Sequence, residues 1–175
     1  VLVAALDPRQ PAFRLGSVEG EALLSEDSIR LERLSLKGEG IDLSLKGSFA
    51  PGSTAEVLSG TLEVRGTEAR RLVRLWPDAV TPDLRAYLAR RLLSGTVERL
   101  TLTASLDPRD VKAAFSDSPM TEHSVSMTFA TSGIGLSVVD GLPPLRDLAV
   151  EGKTSGTKVS LKAENAAIEM PDGRR

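Results

Sequence analysis

The side chains of this 175-residue chain with capacity for chemistry are few: one histidine, a run of clustered arginines and some scattered carboxylates. His123 closes the polar stretch Pro119–Met120–Thr121–Glu122–His123. A catalytic base needs a nucleophile and an orienting carboxylate within hydrogen-bond reach. A sequence alone does not show such groups meeting it in space, and a solvated loop histidine is the simpler reading. Arg70, Arg71, Arg74, Arg85, Arg90, Arg91 and Arg99 form a basic cluster. It can be read as a contact for anionic lipid headgroups. The simpler reading is a solvated helical face, with Arg90 and Arg91 near a helix C-terminus where cations are favourable. Glu26, Asp27, Asp107, Asp110 and Asp117 fall at turns without the spacing of a calcium loop, which must supply 6–8 oxygens. The chain has no cysteine, so disulfides, thiolate metal sites and thiol nucleophiles are excluded. No glycine-rich phosphate loop, nucleophile elbow or paired-histidine zinc pattern occurs. Nothing here supports an enzyme, and no cofactor or metal is implied.

Composition narrows the classes further. Hydrophobic residues make up 41% and charged residues 26%, which suits a folded domain rather than a disordered chain. The 22 basic and 24 acidic side chains nearly cancel, so the basic excess that drives sequence-independent nucleic-acid binding is missing. No apolar run approaches the length of a membrane span. Only six residues are aromatic, and leucine supplies most of the apolar surface. The chain opens in apolar sequence without an initiator methionine, as expected of a segment of a longer protein.

The elements that would carry these residues are mainly strands. Ile41, Leu43, Leu45 and Phe49 keep one parity; so do Leu100, Leu102, Ala104 and Leu106, and then Val125, Met127 and Phe129. Ile134, Leu136 and Val138 follow, then Leu148 and Val150, then Val159, Leu161 and Ala163. Period two sends successive side chains to opposite faces, giving each strand one apolar and one polar face. The parity slips between Leu31 and Leu34 and between Ala163 and Ala166, where a bulge or turn would restore it. Turn signals at Gly38–Gly40, Pro51–Ser53, Gly66, Asp107–Pro108, Gly133, Asp140–Gly141 and Ser155–Gly156 predict an antiparallel meander.

One stretch has a different period. Ala69, Leu72, Val73 and Trp76 fall on one helical face, and Pro77 would stop that helix. Thr81 reads as an N-cap, Pro82 as the first helical residue and Asp83 as a complement to the dipole. Leu84, Leu88 and Leu92 make its stripe, and Gly95 reads as the C-cap of a helix over about 82–93. The chain is thereby divided into an N-terminal β segment (1–66), an inserted helical pair (67–95) and a C-terminal β segment (96–175) of one continuous groove. The apolar face itself has two readings: the inner face of a closed β-sandwich, or an open curved trough that meets lipid chains. Alternation is the same in both. Leucine, valine and isoleucine offer a smooth surface with no polar handle to fix one ligand, which leans toward the trough.

Two motifs carry a resemblance. The first is Leu75–Trp76–Pro77–Asp78–Ala79–Val80–Thr81–Pro82–Asp83–Leu84–Arg85–Ala86–Tyr87–Leu88, closing with Ser94–Gly95–Thr96–Val97. The second is Gly141–Leu142–Pro143–Pro144–Leu145–Arg146–Asp147–Leu148, followed by Val150–Glu151–Gly152. In this order they resemble the AsmA-like family of Gram-negative envelope proteins, in its long YhdP- and TamB-type members. Tyr87 stands where that pattern would have tryptophan. The resemblance implies an elongated β-groove in the periplasm, held at the inner membrane by parts of the parent chain outside this sequence. It implies phospholipid movement toward the outer membrane and no catalytic residues. Acyl chains would follow the face of Leu100, Leu102, Leu106, Val125, Met127, Phe129, Ile134, Leu136 and Val138. Trp76, Pro77, Pro82, Arg85, Tyr87, Gly95, Pro143, Pro144, Leu145 and Asp147 would be structural. The alternative is a closed sandwich that serves as a structural or protein-binding module, with the polar connection 107–124 as its contact loop.

Overall fold

A computed structural model describes residues 2–3, 13–76, 82–114, 121, 123–155 and 158–168. The alternating segments form the predicted meander. Its strands are β3 (Ser17–Leu24), β4 (Ile29–Gly38), β5 (Ile41–Phe49), β6 (Leu58–Glu68), β7 (Leu92–Leu106), β8 (Val125–Leu136), β9 (Leu145–Ser155) and β10 (Lys158–Glu164), with short β1 (Leu2–Val3) and β2 (Phe13–Arg14) before them and β11 (Ala167–Ile168) after. Every strand from β3 to β10 pairs antiparallel with its neighbour in sequence, in the order β10-β9-β8-β7-β6-β5-β4-β3. β11 continues along β9 beyond β10, and β1 pairs with β2. The result is one open, curved antiparallel sheet. The other pairing among the described residues is the two-stranded β1–β2, too small to close a sandwich over this sheet, and the closed-sandwich alternative is set aside.

Bulges hold the faces in phase. β4 shifts register against β5 between Leu31 and Leu34, so both leucines stay on the apolar side. At the second parity slip Asn165 adopts φ 59, turning the chain from β10 into β11. Asp147 has φ 56 within β9, at the place where Leu148 pairs Ile134 and Leu145 pairs Leu136.

The helices are α1 (Ala69–Leu75), α2 (Pro82–Arg91) and α3 (Pro108–Ala114). α1 and α2 leave from the end of β6 and return at the start of β7, yet β6 and β7 pair directly from Leu58–Leu106 to Glu68–Thr96. The helical pair is an excursion from one end of the sheet and does not divide it. The proposed stop at Pro77 and cap at Thr81, like Gly156, lie outside the described residues. Trp76 ends α1 in an extended conformation, as a residue before proline must, and the Nε of Arg85 donates to its carbonyl at 2.8 Å.

Gly95 corrects the expectation of a C-cap. α2 ends at Arg91, and Gly95 lies inside β7 with φ +127. A Cβ there would overlap Ile134 Cδ1 and sit 2.9 Å from Ile134 Cα. The missing side chain lets β8 pass close to an irregular part of β7, where the register shifts on both sides of Ser94.

The core gathers where the helices meet the sheet. Leu15, Ile41, Leu43, Val64, Ala69, Val73, Leu92, Val97, Ile134 and Leu148 form one buried cluster, flanked by Leu72, Leu75, Leu88 and Leu100. Thr67 is fully buried beside it. Its hydroxyl accepts from the Asp42 N–H at 3.0 Å and lies within donating distance of the Asp42 and Arg65 carbonyls, at 3.2 and 3.1 Å. Thr67→Val keeps the shape but orphans the Asp42 amide. It is expected to cost about 1–3 kcal/mol, read as a lowered urea midpoint at unchanged slope.

Candidate functional site: the uncovered apolar face

The pairing registers align apolar residues into rows across the strands. One row runs Val18, Leu36, Leu43, Val64, Leu100, Phe129, Gly152, Leu161. The next runs Gly20, Leu34, Leu45, Leu62, Leu102, Met127, Thr154, Val159. A third runs Ala22, Leu31, Gly47, Gly60, Ala104, Val125, and a fourth Leu24, Ile29, Phe49, Leu58, Leu106. The first row borders the helices and is buried at its centre, with Val64 at 0% exposure. Away from that end the face opens: Leu45, Phe49, Leu58 and Ile29 are 38–48% exposed. Large exposed aliphatics on one sheet face are unusual in a monomer with a sealed core.

The third row makes a furrow. Gly47 and Gly60 face each other, and a Cβ on Gly47 would overlap the Ser59 carbonyl oxygen. With Ala104 beside them they give a low floor, walled by Leu45, Leu62 and Leu102 on one side and by Ile29, Phe49 and Leu58 on the other. The cavity along this furrow measures about 520 Å³ and runs across the strands. Its lining is almost wholly apolar, with Lys46, Ser48 and Ser59 also bordering it.

The residues marked from the sequence separate into two groups. Leu102 lines the furrow; Val125, Met127 and Phe129 continue its rows, half-buried, on β8. Leu100 packs against the core margin, Ile134 belongs to the core, and Leu136 packs on it. Leu106 is buried where β7 meets α3, and Val138 is exposed in the loop after β8. What the pattern missed is the N-terminal half of the furrow: Ile29, Leu31, Leu45, Gly47, Leu58, Gly60 and Leu62. Their parity was visible, but their place opposite Leu102 and Ala104 needed the strand order.

The motif residues act as structure. Trp76 and Arg85 join the helices as described. Tyr87 is exposed on α2. Pro143 and Pro144 lead into β9, where Leu145 packs on the core and Asp147 bears the positive φ. Pro77 is outside the described residues, and Pro82 begins α2.

The basic cluster is partly neutralised. Arg71 pairs with Glu68 at 2.6 Å and Arg91 with Asp140 at 2.5 Å, while Arg99 approaches Glu151 at 3.7 Å. The Arg91 guanidinium, hydrogen-bonding its carboxylate, holds Asp140 below the usual carboxylate range. In the 107–124 connection Asp107 caps α3 through the amides of Arg109 and Asp110. The Asp110 carboxylate accepts from the Thr121 hydroxyl and amide, which lowers its pKa. These bonds join the described start of the connection, at Asp110, to Thr121. His123 is exposed in a turn. Among the described residues, no three His, Cys, Asp or Glu side chains converge as a metal set would, and no helix is long and apolar enough to cross a membrane. Comparison of the chain with protein-family models, curated proteins and solved structures returned no match.

Proposed function

We propose that this sheet is a segment of a lipid-conducting groove in a Gram-negative envelope, carrying phospholipid acyl chains along its apolar face between inner and outer membrane. The observation that carries the reading is the uncovered furrow over Gly47, Gly60 and Ala104, apolar on floor and walls and open to its surroundings. An acyl chain needs no hydrogen-bonding partner, and each methylene withdrawn from water gains ~0.8 kcal/mol. Headgroups stay in water at the rim, so the scarcity of aromatic and polar handles is no obstacle. The furrow crosses the strands, so a chain lying in it points along the direction in which the sheet grows. The resemblance of the Trp76–Leu88 and Gly141–Leu148 motifs to AsmA-like proteins supports the same reading. On this reading the segment lies in the periplasm, within a chain anchored elsewhere.

The test is photocrosslinking. A photoreactive amino acid at Leu102 faces the furrow, while the same group at Thr103 faces the polar side. After irradiation with phospholipid vesicles, the 102 variant is expected to carry phospholipid adducts by mass spectrometry and the 103 variant none. Adducts at neither position, or equally at both, would reject the groove.

A further inference from the structure

The two edges of the sheet complement each other, and from this we infer that copies of this chain associate head to tail, β10 of one pairing antiparallel with β3 of the next. The inference does not rest on the lipid reading. Among the described residues β3 and β10 pair on one side only, with β4 and β9, so each leaves a row of backbone donors and acceptors unused by the described sheet. The alternation from β3 to β10 is strict and covers eight strands. An even number means that β3 and β10 run in opposite directions. A copy displaced along the sheet therefore brings its β3 antiparallel to β10 of its neighbour, continuing the existing order without inversion.

The side chains fix the register. The first apolar row ends at Val18 on one edge and Leu161 on the other; the second ends at Gly20 and Val159. Joining the rows end to end sets Leu161 opposite Val18 and Val159 opposite Gly20. The same register sets Ser160 opposite Glu19 and Lys158 opposite Glu21, with Lys162 diagonal to Glu19. The polar face of the β3 edge is thus acidic and that of the β10 edge predominantly basic, although Lys162 already pairs with Glu164 on its own strand at 2.7 Å and Lys158 is also engaged within its own chain. Opposite charges directly across a strand pair are favourable and like charges are not. Pairing β3 with a second β3 would confront Glu19 and Glu21 with their own copies; two β10 edges would confront Lys158 with Lys162. The charges that oppose each edge meeting itself favour each meeting the other. Val159 and Leu161, both 63% exposed, and Val18, 41% exposed, would gain cover at the joint. Because the contact is heterologous, the assembly stays open and grows by addition.

The chain has no native cysteine, so engineered thiols report this joint alone. Directly opposed residues in an antiparallel pair bring Cβ atoms to ~4.5–5.5 Å, within reach of a short bismaleimide. E19C/S160C is expected to give a ladder of covalent dimer, trimer and higher species, while E19C and S160C alone stay monomeric. Lys158→Glu and Glu21→Lys should each weaken self-association about fivefold, by light scattering across a concentration series, and the double variant should recover it. Circular dichroism checks that each variant is folded. No ladder from the double-cysteine protein, or dimers from either single-cysteine protein, would overturn the proposal; so would charge reversals that fail to compensate.

Discussion

Val64→Asp is expected to abolish the fold, while Leu45→Asp leaves it standing. The two residues share a parity and lie on adjacent strands, yet Val64 is sealed beneath the helical pair and Leu45 is 38% exposed over the furrow. A carboxylate at 64 has no partner and no water, and an uncompensated buried charge costs several kcal/mol. Domains of this kind have only about 5–15 kcal/mol in total. At 45 the carboxylate can turn to solvent, and the cost is confined to lost apolar contact. Circular dichroism should show native strand signal and cooperative melting for Leu45→Asp and neither for Val64→Asp. The folded variant then separates structure from function: with a charge in the furrow, lipid adducts at position 102 should fall sharply. Undiminished adducts would remove this face from the lipid path. Unfolding of Leu45→Asp would show that the furrow is sealed after all.

Gly95→Val should be strongly destabilising. The new side chain meets Ile134 through its backbone Cα as well as its Cδ1, so rotation of the isoleucine alone cannot make room. A β-branched residue also resists φ +127. Strain of this kind and overpacking each cost about 1–3 kcal/mol, so a total near 3 kcal/mol or above is expected. For a chain of this length that corresponds to a melting temperature lower by roughly 6–12 °C. An unchanged melting temperature would show that β7 and β8 yield around position 95 and that the close approach to Ile134 is not constraining.

Gly95 also shows where sequence reasoning loses its grip. A glycine shortly after an apolar helical stripe has the same appearance whether it caps the helix or relieves a strand. The difference is made by Ile134, 39 residues away, which no local pattern contains. The strands themselves were legible because period two is a local property. Even the displaced parity between Leu31 and Leu34 marks a real bulge. Coverage was not legible. Leu100 and Leu102 differ by one pleat repeat and are indistinguishable in pattern, yet the first packs at the margin of the core and the second lines the open furrow. Which pleats are roofed depends on where the α1–α2 excursion folds back, and that is set by tertiary packing. The edge charges were likewise in plain view, but Glu19 and Lys158 acquire meaning only once β3 and β10 are known to be the two ends.

The strict neighbour-to-neighbour pairing has a kinetic consequence. From β3 to β10 each closure joins strands successive along the chain, the β6–β7 pair closing over the α1–α2 excursion and the β7–β8 pair over α3, so loop entropy is lost in modest steps and no strand of the eight waits for a partner far along the chain. Such a chain can fold as it is threaded out, each new strand docking on the last. Local stability then falls from the helix-roofed centre toward the margins, and β10, exposed at every position, is the first strand to open. Lengthening such a protein over evolution requires only another hairpin at one end, with no rethreading of what is already built.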